Sequence, residues 1–123
     1  MDQSKPHKKL HVWQMSMELC GDVYALCGRL PVDEKYGLAS QMKRAAVSIP
    51  SNIAEGAARN STREFIQFIS IAHGSLSELD TQIELCATYL GLVPQEEYVV
   101  FAGKAEKISK MLTALKKSLE SRK

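Results

Sequence analysis

The sequence predicts an all-α protein, an antiparallel up-down four-helix bundle. Apolar residues recur every three to four positions almost throughout, and no segment sustains two-residue alternation. Proline and glycine punctuate the chain so as to leave four stretches of similar length. At 123 residues the chain has the size of one domain. Such a chain buries roughly two-thirds of its unfolded surface, enough for a core without covalent staples.

The first helical stretch runs from about Leu10 to Leu30, with Val12, Ser16, Leu19, Val23, Leu26 and Leu30 on one stripe. It stops before Pro31, and Asp33 is a candidate N-cap for the next helix. The second stretch carries the run "RAAVSIPSNIAEGAAR", whose Pro50 would ordinarily break a helix at about 3 kcal/mol. Yet Leu38, Met42, Ala45, Ile49, Ile53 and Ala57 keep helical phase straight across it. A break would have no reason to preserve that phase. The second helix is therefore expected to be continuous and kinked at Pro50, with Ser48, Ser51 and Asn52 able to bond freed backbone groups.

The third stretch opens on "STRE", where Ser61 and Glu64 form a capping box. Phe65, Ile69, Ala72, Leu76, Leu79, Ile83, Cys86 and Leu90 then alternate steps of four and three. Gly91 supplies a left-handed terminus and Pro94 suits the first turn of the next helix. The fourth stretch repeats the pattern with Tyr98, Phe101, Ala105, Ile108, Leu112, Leu115 and Leu119. Residues 10–120 thus form the bundle, and residues 1–9 a basic tail expected to be flexible. Ile66, Phe68, Ile71, Trp13 and Tyr24 lie off their core stripes, an apolar surplus that points to a second subunit.

A hydrophobic fraction of 45% and a charged fraction of 24% suit a soluble protein. No run reaches the ~18 apolar residues of a membrane span. The N-terminus has basic residues without the apolar region of a signal peptide, so a cytoplasmic protein with no membrane contact is expected. Cys20, Cys27 and Cys86 have no CxxC spacing and read as reduced, buried thiols. His7, His11 and His73 lack partners at ligand spacing, and His73 reads as a hydrogen-bonded boundary residue. With no HExxH, nucleophile elbow or phosphate-cradling glycine loop, the expectation is no catalytic residue, metal or cofactor, and no enzyme.

Two polar patterns remain. Arg44, Ser48, Asn52, Glu55 and Arg59 share a face of the second helix, opposite a similarly spaced Ser75, Glu78 and Gln82. This stripe is either structural, with pairs such as Glu55–Arg59, or lines a cleft or subunit contact. Lys104, Lys107, Lys110, Lys116 and Lys117 stud the fourth helix beside its seam. They could contact phosphates through counterion release, or complement the helix dipole and the solvent.

The segments "LHVWQMSMEL", "LPVDEKYGLASQMKRAAVSIPSNIAEGAARNS" and "EFIQFISIAHGSLSELDTQI" resemble the 23S ribosomal RNA intervening-sequence proteins, also called S23 ribosomal or four-helix-bundle proteins. "SIPSNIAEG" at Ser48–Gly56 is the most specific part, and the likeness runs from about Leu10 to Leu119. It implies a bacterial, non-enzymatic up-down bundle that assembles into a homopentamer. A related fold, the accessory variability determinant of diversity-generating retroelements, is a basic pentamer that binds a reverse transcriptase and nucleic acid. The resemblance thus implies a homo-oligomer engaging RNA or a ribonucleoprotein, or alternatively an assembly subunit binding a protein such as a reverse transcriptase. The net charge of +2 makes this chain only mildly basic.

Overall fold

The computed structural model describes residues 5–122. Four α-helices account for most of them: α1 His11–Cys27, α2 Leu38–Ala57, α3 Thr62–Glu84 and α4 Gln95–Glu120. Each helix packs on its neighbours in chain order, and α1 closes the ring on α4, while the backbones of the diagonal pairs stay apart. The α2–α3 contact is the most extensive and the α1–α4 contact the least of these four. Met42, Ile49, Ile53, Ile69, Leu79, Ile83, Ile108 and Leu112 are fully buried between them. The expected bundle is what the chain forms.

Its ends differ in detail from expectation. Helix α1 stops at Cys27, three residues early: Gly28 still donates to the Tyr24 carbonyl at 3.1 Å, but Arg29 and Leu30 tighten onto the Leu26 and Cys27 carbonyls at 3.0 and 3.2 Å. Pro31 then disfavours helical backbone at Leu30. Asp33 does not cap α2. It lies in a short 3-10 turn, Val32–Glu34, and Gly37 occupies the N-cap position. Ahead of α1, Pro6–Lys9 forms one 3-10 turn packed on α1 and α2, with His7 set edge-on to Trp13 at 4.8 Å. Of the tail expected to be flexible, residues 1–4 lie outside the described residues.

Helix α2 runs through Pro50 without interruption, and the proline is buried. The missing N–H leaves the Ala46 carbonyl without its helical partner. Among the described residues no side chain replaces it: Asn52 donates instead to the Ser48 carbonyl at 2.8 Å. Burial of the ring, beside an open trough that it lines with Trp13, Met17 and Cys20 of α1, offsets part of the loss. Gly56, near the end of the same helix, is fixed by space. A Cβ there would stand 2.8 Å from Phe65 Cδ1 and 2.8 Å from Phe68 Cβ, closer than van der Waals radii allow.

Ser61 supplies half of the expected capping box, its Oγ accepting from the Glu64 N–H at 3.3 Å, while the Glu64 carboxylate lies 3.6 Å from Arg59. At its far end α3 widens into a π turn, Leu85–Tyr89, in which Leu90 N–H reaches the Leu85 carbonyl at 2.9 Å. Gly91, at φ +64°, lets Leu92 N–H return to the Cys86 carbonyl at 2.8 Å. The extra residue in that turn shifts the apolar phase. Leu90, expected in the core, is 49% exposed.

Candidate nucleic-acid interface

The polar stripe of α2 divides into two parts. Ser48 Oγ and Ser75 Oγ are 2.8 Å apart, and Asn52 Nδ2 donates to Ser48 Oγ at 2.9 Å, so the centre of the stripe ties α2 to α3. Beside it Gln41, Arg44, Ser48, Ser75 and Glu78 line an open groove of about 420 Å³. At the helix end Arg59 donates to Glu55 at 2.8 Å, lies 3.6 Å from Glu64, and covers the Phe68 ring at 4.9 Å. Gln82 of the facing stripe is buried, and its Oε1 has no hydrogen-bond partner. The stripe is thus a fastening with a shallow polar groove alongside.

Two further polar contacts join α3 to α4. His73 Nε2 lies 2.7 Å from Ser109 Oγ, which makes it the hydrogen-bonded boundary histidine expected. Tyr98 donates to Asp80 at 3.2 Å. Partial burial, followed by the charge of Asp80 and the bond to it, pushes the phenol up to about 12. Burial likewise raises the thiols of Cys20, Cys27 and Cys86, which are all free, and holds them in the protonated form.

The lysines of α4 do not form one row. Lys104 reaches across to Asp22 of α1 at 2.7 Å, and Lys110 pairs with Glu106 at 3.4 Å. Lys107 and Lys117 are exposed and Lys116 is half-buried; among the described residues no carboxylate lies within ion-pair distance of these three. At about 100° per residue, Lys104, Lys107 and Lys110 drift roughly 120° around the helix, and Lys116 lies on the other flank of the seam.

The antiparallel topology gathers charge along the bundle axis instead. The start of α1, the α2–α3 turn and the end of α4 share one end. The half containing that end, residues 5–19, 48–72 and 108–122, holds nine Lys/Arg and four Glu. The other half, residues 20–47 and 73–107, holds six Lys/Arg and nine Asp/Glu. The formal charges are +5 and −3. Lys5, Lys8 and Lys9 from the N-terminal turn, Arg63 at the start of α3, and Lys116, Lys117 and Arg122 at the end of α4 make the basic pole. These residues are dispersed in sequence, and only the up-down order of the helices brings them together. Counting charge by helix half, rather than by segment, would have found them.

A family model described as 23S rRNA-intervening sequence protein matches residues 8–114. The chain belongs to that family. The match takes in all of α1, α2 and α3 and most of α4, with the whole stripe from Arg44 to Arg59. Within this intervening-sequence protein the basic pole straddles the boundary of the match: Lys8, Lys9 and Arg63 fall inside it, and Lys116, Lys117 and Arg122 beyond it. A search of curated proteins gives no match to the chain. No helix of the described residues is long and apolar enough to cross a membrane.

Proposed function

We propose that this intervening-sequence protein is a non-catalytic, homo-oligomeric bundle that engages RNA through its basic pole. The observation that carries the reading is the division of formal charge into +5 and −3 halves of one bundle. A phosphate backbone is drawn to the first and kept from the second. The α4 lysines contribute unequally: Lys116 and Lys117 belong to the pole, whereas Lys104 is occupied by Asp22 in the acidic half.

Oligomerisation is supported by the apolar surface the single bundle leaves uncovered. Met17 and Val47 are exposed beside Trp13, Cys20, Pro50 and Ala54 in an open trough between α1 and α2, and Tyr24 and Ile71 are half-exposed elsewhere. Part of the surplus expected from the sequence is used within the protomer, since Ile66 and Trp13 pack on the core and Phe68 lies under Arg59. The pentamer that the family resemblance implies would repeat the basic pole around an axis, so that weak contacts act together.

Gel shifts with total RNA at low and at physiological salt test the reading. Binding should be salt-sensitive and largely sequence-independent, with log affinity falling by about 0.7 per single-strand phosphate contact neutralised. Changing Lys8, Lys9, Lys116 and Lys117 together to Gln should abolish the shift, and changing Lys104 and Lys107 to Gln should leave most of it. No shift at low salt would sink the RNA reading in favour of a protein as first partner.

A further inference from the structure

The opposite pole has its own character. Val32 is 83% exposed, Tyr36 87%, Tyr89 76% and Val99 62%, and all four lie in or beside the two loops at that end. Arg29 Nη1 and Nη2 donate to both carboxylate oxygens of Glu97 at 2.8 and 2.9 Å, which sets the exit of α1 against the first turn of α4. From there an apolar trough of about 390 Å³ runs down the α1–α4 seam, walled by Val23, Leu26, Ile83, Val100 and Phe101. The charged groups of the trough are Asp22 paired with Lys104, Glu97 paired with Arg29, and Glu96, unpaired among the described residues. Among the described residues Asp33, Glu34, Glu84 and Glu96 have no ion-pair partner. An apolar trough that runs toward a pole bearing exposed aromatic and aliphatic side chains has the make-up of a protein-docking surface.

We propose that this pole and its trough dock a cationic amphipathic helix of a different polypeptide. Such a segment has aliphatic side chains every three or four residues and Lys or Arg between them. Its aliphatic side chains enter the seam beside Val100, and its cations meet Glu96 and the loop carboxylates. The charge sets the partner's sign: the half that carries this surface is at −3, so an acidic helix is repelled there and a neutral one gains only the apolar burial. A second copy of the chain does not supply the segment. Its lysine-rich amphipathic run is the end of α4, and the apolar side of that run, Leu112 and Leu119, is buried in its own core. The inference does not depend on RNA binding, which uses the other end of the bundle.

Fluorescence anisotropy with a labelled 18-residue helical peptide of Leu and Lys at this spacing tests it. A control peptide with Ser in place of Leu should bind at least tenfold more weakly. The double variant Tyr89→Ser, Val100→Ser should weaken the Leu–Lys peptide at least tenfold, with helicity by circular dichroism unchanged. Glu96→Gln with Glu34→Gln, at exposed or half-buried positions that leave the core intact, should flatten the salt dependence of the same binding. Equal binding of the two peptides would reduce the surface to plain electrostatics and overturn the proposal. So would an affinity that the Glu→Gln pair leaves unmoved, or end-to-end growth of the protein that the peptide fails to disperse. The RNA gel shift of these variants should equal wild type, so failure of either reading leaves the other standing.

Discussion

Gly56 shows how one residue can decide an interface. Its missing Cβ lets α2 approach Phe65 and Phe68 on α3, and Ala at this position must push ring and backbone apart. Gly56→Ala is expected to destabilise the fold by about 1–3 kcal/mol, despite the better helix propensity of alanine, as measured by urea denaturation. The sequence pattern showed a glycine at odds with a helix but not why, because the reason sits on another helix. Tyr98 offers a second test at this scale. Its phenol is held at about 12 in the folded protein, against an ordinary value near 10. The folded state therefore keeps a proton that the unfolded chain loses, and this contribution to stability is fully present below about pH 10 and vanishes as pH rises toward 12. Ultraviolet titration should show a late tyrosine step near pH 12, and Tyr98→Phe should remove it.

At the scale of the element, Pro50 and the π turn are a contrast in what local sequence reveals. The passage of α2 through Pro50 was legible, because apolar phase on both sides reports a continuous helix whatever the local cost. Pro50→Ala restores a donor for the Ala46 carbonyl but removes the buried surface of the ring. The two effects oppose each other, and stability should change by no more than about 1 kcal/mol with helix content unaltered in circular dichroism. The π turn at Leu85–Tyr89 was not legible. Cys86 and Leu90 are four apart and look in phase, yet widening by one residue turns Leu90 outward while Cys86 stays buried against Met42 at 3.7 Å. The start of α3 was plain from its motif, and Ser61→Ala should cost about 1 kcal/mol through the lost bond to Glu64 N–H.

For the whole molecule, the helix count and order followed from periodicity, whereas the candidate binding surface did not. The row of lysines on α4 is a feature of one segment; the basic pole draws on three, and its existence depends on which ends lie together. The ring of four helices also has an unequal grip. The α2–α3 pair is joined by a short turn, fastened at Ser48–Ser75 and closed tightly at Gly56. The α1–α4 seam is held by two exposed ion pairs and leaves a trough open, and such pairs contribute little in water. In native-state hydrogen exchange the amides of α2 and α3 around Ile49 and Ile69 should therefore be the last to exchange, and those of α1 and α4 should exchange earlier. The bundle should loosen first along the α1–α4 edge, as a book opens, with the α2–α3 hairpin as its spine. That hairpin, built from contacts close in sequence, is also the piece expected to assemble first when the chain folds.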